Sequence, residues 1–283
     1  MTQQTSEKRT GEAKEPLFSD AVFDRMFGVI DKRSGKCEEH GDYVDVYFSG
    51  EKNAPKGWKG CPECSRIAHE ETRKREEQER QAEMYRERIE RTVNLSGIPA
   101  RFKEKTFDNF EAVNRKAENH LAKVKSYADL VCSEDHEGRC LLMLGKVGNG
   151  KTHLACALLA HTIRTTGHAC HYWTFSELVR AVKGSFAKGA EYSEEEVYRD
   201  FARPRLVVLD EVGMQNFTDF EQAVAYEAVN ARYLAQRPTV VISNLQAKDL
   251  PLCIGERVVD RLREGGGRAL DFDWKSYRVG GAA

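Results

Sequence analysis

The chain of 283 residues has no long apolar run. Nothing in it approaches the roughly 18 consecutive apolar residues that a membrane-spanning helix needs. Met1 to Pro16 are polar, so no secretory apolar core is expected there, and their lack of periodicity predicts a disordered tail over residues 1–16. An excess of charge of one sign is missing too: 44 Lys and Arg stand against 45 Asp and Glu, a net charge of -1. No global basic field draws such a chain to nucleic acid, so any DNA contact has to be local. A disulfide framework is also absent. Of eight cysteines only Cys37, Cys61 and Cys64 cluster; Cys132, Cys140, Cys156, Cys170 and Cys253 sit in or beside apolar runs and read as small core residues. That distribution suits a reducing cytoplasm and one metal site.

The stretch around which the rest is organised is Gly145-Lys146-Val147-Gly148-Asn149-Gly150-Lys151-Thr152. It follows the apolar run Cys140 to Leu144 and leads into Leu154 to Ala160, which reads as strand, glycine-rich turn, helix. Such glycines let consecutive backbone N–H groups curl around phosphate oxygens, and the helix N-terminus adds partial positive charge. Gly145, Val147, Gly148, Asn149 and Gly150 are therefore expected to cradle ATP, Lys151 to reach the outer phosphates, and Thr152 to ligate Mg²⁺. Leu206 to Glu211 reads as a buried strand ending in two carboxylates. In a strand next to the glycine loop, Asp210 would hold Mg²⁺, and Glu211 would orient and deprotonate the attacking water. Thr239 to Asn244 is another apolar strand; Asn244 at its end either bonds the attacking water or the γ-phosphate, or closes a simple turn. From about Phe102 strands alternate with helices, which predicts a parallel sheet covered on both faces.

Upstream, Val22, Phe23, Met26, Phe27 and Ile30 fall at helical spacing behind Ser19-Asp20. This face either packs on the module that follows or docks a partner. Cys37-x-x-His40 and Cys61-x-x-Cys64, twenty residues apart, are two chelating pairs able to close a tetrahedral Zn²⁺ site, with His69 an alternative to His40. Tyr43 to Phe48 reads as a strand between them, giving a small zinc-ribbon-like module whose folding energy would come from the metal. From Ser65 to Thr92, eight Lys/Arg balance eight Asp/Glu, which predicts a helix laced with short-range ion pairs rather than a basic arm. Gly97-Ile98-Pro99 breaks it. The expected division is thus a tail at 1–16, a partner-binding module at 17–95, and an ATPase domain at 96–283.

Together these motifs, with Gly255 to Leu262, Gly265-Gly266-Gly267 and Phe272 to Arg278, resemble the AAA+ ATPases, in particular the DnaC-type helicase loaders and the related IstB-type transposition ATPases. The resemblance implies a three-layer α/β P-loop NTPase with a minimal lid or none. It also implies DNA-stimulated ATP hydrolysis and self-association, with Arg261 (or Arg257, four residues earlier on the same face) as a finger reaching the neighbouring subunit's ATP. Arg278 would be a phosphate sensor in its own subunit. Lys183 and Phe186, and after Glu211 Thr218 and Phe220, match segments that hold single-stranded DNA; core packing is the other reading of the two phenylalanines. The implied partner of residues 17–95 is the replicative hexameric helicase, or a transposase for the IstB type.

Overall fold

A computed structural model of the chain describes residues 20–50, 56–213 and 218–276. The expected tail at 1–16 and Arg278 lie outside these. The chain forms two compact units that divide between Glu83 and Met84.

In the first unit, α1 (Asp20–Phe27) is followed by β1 (Val29–Cys37), β2 (Gly41–Phe48) and β3 (Gly57–Trp58), an antiparallel sheet in that order. Gly28, at φ +73°, ends the helix, so Ile30 belongs to β1 and not to the helical face. Val22, Met26, Phe27 and Ile30 are all exposed. β1 was not legible in the sequence. Its residues are mostly polar and exposed, and it is a strand because β2 pairs with it from Val29↔Phe48 to Cys37↔Gly41. Then comes α2 (Pro62–Asn94), a helix of 33 residues. Its outer face carries the expected ion pairs, among them Arg66 with Glu63 and Glu70, and Lys74 with Glu70. Each such pair contributes a few tenths of a kcal/mol, about 0.2–0.5. The division between units falls inside α2, whose last turns bury Ile89 and Val93 in the core of the second unit.

That second unit is built on a five-stranded parallel sheet in the order β5-β6-β7-β4-β8. Its elements are α3 (Arg115–Cys132), β4 (Leu141–Gly145), α4 (Lys151–Thr166), β5 (His171–Thr174), α5 (Phe175–Ser185), α6 (Glu194–Ala202), β6 (Val207–Val212), α7 (Asp219–Leu234), β7 (Thr239–Ser243), α8 (Leu250–Ile254), α9 (Glu256–Arg263) and β8 (Arg268–Phe272). Alternation along the strands feeds two cores. Leu141, Met143, Val208, Val240 and Ile242 face α3 and α4. Leu142, Leu144, Val207, Leu209 and Val241 face α5, α7 and α9. The result is three layers, as expected. Each fully buried Leu or Ile contributes about 1.5–3 kcal/mol. After β8, the described residues 273–276 form no helix.

Candidate active site and metal centre

Between β4 and α4 the chain reverses through Gly148 and Gly150, both at φ +86°, a region that side-chain-bearing residues avoid. Close approach demands glycine as well. A Cβ on Gly145 would lie 2.3 Å from Phe272 O, and one on Gly150 would lie 2.6 Å from the Phe110 ring. The Asn149 side chain turns inward, where its Nδ2 donates to Phe272 O (2.7 Å) and Trp274 O (2.6 Å). It pins the end of β8 beneath the loop, so only its backbone N–H is left for a phosphate. Val147 to Thr152 line a cavity of about 570 Å³.

Lys151 is buried at the start of α4, with Nζ donating to Gly145 O (2.6 Å) and Lys146 O (2.7 Å). Burial pushes its pKa down to about 8, with nearby Asp210 opposing the shift. Thr152 Oγ1 donates to Asp210 Oδ2 at 2.9 Å, and the Tyr172 hydroxyl donates to the same oxygen at 2.7 Å. Asp210 Oδ1 accepts from Glu211 N at 2.6 Å. The acidic strand β6 is not next to the glycine loop, contrary to expectation, because β7 intervenes. α4 runs back over that face of the sheet, and this brings Thr152 to Asp210. Glu211 stands at φ +62°, where the β6–β7 register slips between Leu209 and Val212. Such a slip re-aims a side chain, here an exposed carboxylate at the strand tip. Asn244, one residue past β7, lines the same cavity as Lys151, Asp210 and Glu211.

Six of the cavity's wall residues, Arg101, Phe102, Lys105, Asn109, Phe110 and Glu111, come from the stretch between Gly97 and α3. Sequence reasoning missed this wall because an aperiodic segment announces nothing. The donor set suits a magnesium nucleotide: a lysine ammonium, a hydroxyl, the N-terminus of a 16-residue helix, and two carboxylates for the cation.

Arg261, on α9, is half-buried over α7. Its guanidinium lies 5.3 Å and 4.8 Å from the ring centres of Tyr226 and Tyr233 and donates to Tyr226 Oη at 3.2 Å. Arg257 is exposed, and none of the described residues pairs with its guanidinium. Lys183, Phe186 and Phe220 come together: Lys183 Nζ is 5.4 Å from the Phe220 ring centre, which is 6.3 Å from that of Phe186. Phe186 is exposed, while Phe220 also packs on the core. Thr218 caps α7 in a capping box with Glu221, so its side chain has a structural task.

In the first unit, the end of β1 and the hairpin turn after it carry Cys37 and His40, and the entry into α2 and its first turn carry Cys61 and Cys64. The four ligand atoms all lie within 4.8 Å of one another. Cys64 Sγ is 3.3 Å from His40 Nδ1 and Cys37 Sγ is 3.5 Å from Cys64 Sγ; Cys37 and Cys61 Sγ are 3.6 Å and 3.8 Å from His40 Nδ1. Zinc bonds of about 2.0–2.3 Å at tetrahedral angles require edges of about 3.5–3.8 Å, so the set fits Zn²⁺. His69 is not part of this group. The backbone N–H groups of Glu39 and His40 draw the Cys37 thiol down to about 6. Buried Asp45 accepts from Gly60 N at 2.7 Å and pairs with Arg33 at 2.9 Å, fastening the second chelating loop to β2.

Fold and site define a nucleotide-binding P-loop protein of the α/β class. The sequence model of the IstB-like ATP binding protein family matches residues 69–260, more than half of the chain. The chain belongs to this family, the AAA+ ATPases related to DnaC and IstB. It is 30% identical to the replicative helicase loader DnaC of Escherichia coli (strain K12) over 193 residues, 68% of this chain and 76% of that protein. A crystal structure of the DnaC helicase loader shares the fold with a TM-score of 0.55 at 22% identity, covering 62% of this chain and 99% of the other. The replication initiator DnaA bound to AMPPCP and single-stranded DNA shares it with a TM-score of 0.52 at 21% identity, over 63% and 51% of the two chains. No helix among the described residues is long and apolar enough to cross a membrane.

Proposed function

We propose that the protein is an ATP-dependent loader that places the replicative hexameric DNA helicase on single-stranded DNA in the cytoplasm. The observation that carries the reading is the meeting of Lys151, Thr152, Asp210, Glu211 and Asn244 around one cavity, in a chain related to replicative helicase loaders. When bound, MgATP supplies the scissile phosphoanhydride and the cation that draws charge from it. Lys151 then leaves the carbonyls of Gly145 and Lys146 for phosphate oxygens. Thr152 and Asp210 hold the cation. Glu211 accepts the proton of the attacking water, and Asn244 orients that water.

In this reading copies of the chain associate side by side. Arg261 of one completes the site of the next, delivered by the tyrosines that hold it; Arg257, exposed and unpaired among the described residues, is the second candidate. Arg278 senses phosphate within its own subunit. Lys183 meets DNA phosphate and the Phe186 and Phe220 rings stack on bases, each stacked base worth about 1–3 kcal/mol, with Thr218 beside them. The N-terminal module at 17–95, with Zn²⁺ held by Cys37, His40, Cys61 and Cys64, grips the helicase.

A loading assay with purified helicase and circular single-stranded DNA tests this. Wild type is expected to transfer the helicase and turn over ATP faster with DNA. Lys151→Ala is expected to lose ATP binding, and Arg261→Ala to keep binding but lose stimulated turnover. Full turnover in Arg261→Ala with loss in Arg257→Ala would move the finger to Arg257. The family model's IstB-like description favours one second reading, a transposition helper with the same ATPase. Capture of a transposase and not the helicase by the full chain would select it.

A further inference from the structure

Tyr172 lies in β5, almost wholly buried, with Thr174 of the same strand paired to Asp210. Its hydroxyl donates to Asp210 Oδ2 at 2.7 Å. Thr152 Oγ1 donates to that oxygen too, and Glu211 N to the other, so three donors from three places hold one carboxylate. Packing explains a ring at this position but not a phenol. A buried hydroxyl is costly unless it is bonded, and an apolar ring would avoid that cost. The backbone fixes the ring as well: Tyr172 N donates to Ser96 O at 2.7 Å, and Gly97 abuts Tyr172 O, where a Cβ would come within 2.6 Å.

We propose that Tyr172 is a positioning residue that sets the orientation of Asp210 for the magnesium ion of the nucleotide site. The inference rests on the reading of Asp210 as the carboxylate that holds this ion. Outer partners of metal-binding carboxylates act in this way, and their loss costs about 10–100-fold in metal affinity or activity.

The test is a Mg²⁺ titration of the full chain at a fixed concentration of a fluorescent ATP analogue, read as binding and not as turnover. Tyr172→Phe keeps the ring and the bond to Ser96. Its analogue affinity in EDTA is expected to stay within about twofold of wild type, and its Mg²⁺ midpoint to rise about tenfold. Asp210→Asn is expected to shift the midpoint at least as far, with Tyr172→Phe adding nothing on top, because the tyrosine acts through that carboxylate. Should the phenylalanine variant fail to melt cooperatively, Tyr172→Met removes the same hydroxyl and carries the titration. An unchanged midpoint beside a Mg²⁺-responsive wild type, or a shift fully additive to that of Asp210→Asn, overturns the proposal and leaves the nucleotide reading standing. A wild type that binds the analogue indifferently to Mg²⁺ overturns both.

Discussion

Glu211 pays a conformational cost for its place. At φ +62° a residue with a Cβ gives up roughly 1–2 kcal/mol that glycine would not. The fold keeps it there at the mouth of the cavity, beside Asp210. Glu211→Gly is therefore expected to raise the melting temperature by about 2–4 °C per kcal/mol relieved. It is also expected to lower ATP turnover by about 10²–10⁴, the usual contribution of a general base. Calorimetric melting and phosphate release on one preparation check both; a glycine variant that turns over normally removes Glu211 from the mechanism. Lys151 supports a pH prediction. Its pKa in the free fold is about 8, against an ordinary value of 10.5. Phosphate oxygens stabilise the ammonium, so ATP binding takes up a proton between about pH 8 and the ordinary lysine range, and affinity falls as pH rises through 8. For stability the sign is the reverse. Unfolding takes up a proton in that window, so the burial penalty is complete below pH 8 and is relieved as pH climbs toward 10.5. Binding calorimetry of the wild type in buffers of different ionisation enthalpy should register the uptake at about pH 8.5 and much less of it at about pH 7, where Lys151 is mostly protonated with or without nucleotide.

At the scale of elements, the decisive residue outside the site is Arg232 in the last turns of α7. Its side chain is fully buried, and none of the described carboxylates forms an ion pair with it. It donates to Thr239 Oγ1 (2.8 Å), Phe201 O (3.1 Å) and Pro204 O (3.0 Å), and also to Ala202, Arg205 and Pro238 carbonyls. One guanidinium thus ties the end of α6, the turn into β6 and the start of β7, the strands that carry Asp210 and precede Asn244. Complete burial lowers its pKa to about 10. Arg232→Met strips several buried carbonyls of their donor at about 1–3 kcal/mol each. The expected loss exceeds about 4 kcal/mol, enough to unfold the unit at 37 °C, as denaturant melting would register. A loss under 1 kcal/mol would mean that water replaces the guanidinium.

For the molecule as a whole, the two units hold together by different means. The second has a core on each face of its sheet. In the first, no hydrophobic side chain among the described residues is fully buried, and the fully buried residue there is Asp45. A sheet so exposed lacks the apolar burial to offset its ordering entropy, and a zinc ion on Cys37, His40, Cys61 and Cys64, with about 10–16 kcal/mol of binding energy, would fill that gap. A strong chelator, or Cys61→Ser, is expected to remove one zinc per chain, measured by metal analysis, and to melt the β1–β3 sheet, measured by hydrogen exchange. Nucleotide affinity of the second unit should stay within about twofold. Retained exchange protection in the metal-free protein would show that the sheet stands without the ion.

The chain's chemistry was written locally. The glycine loop, the paired carboxylates after an apolar strand, the chelating pairs and the charged helix are each set by neighbours within a few residues, so their spacing disclosed them. α4 begins where Lys151 follows the glycines, and α2 is helical because its ion pairs recur at three and four residues. Other features are non-local, and only the tertiary structure decided them. β1 exists by pairing with β2. Asp210 meets Thr152 although β7 separates their strands' supports. The wall from Arg101 to Glu111, the bond from Tyr172 to Asp210 and the use of Asn149 to hold Phe272 and Trp274 all join segments far apart in sequence. No periodicity encodes such meetings, because they follow from how strands order themselves and how α4 crosses the sheet, which is settled by the burial of two cores at once.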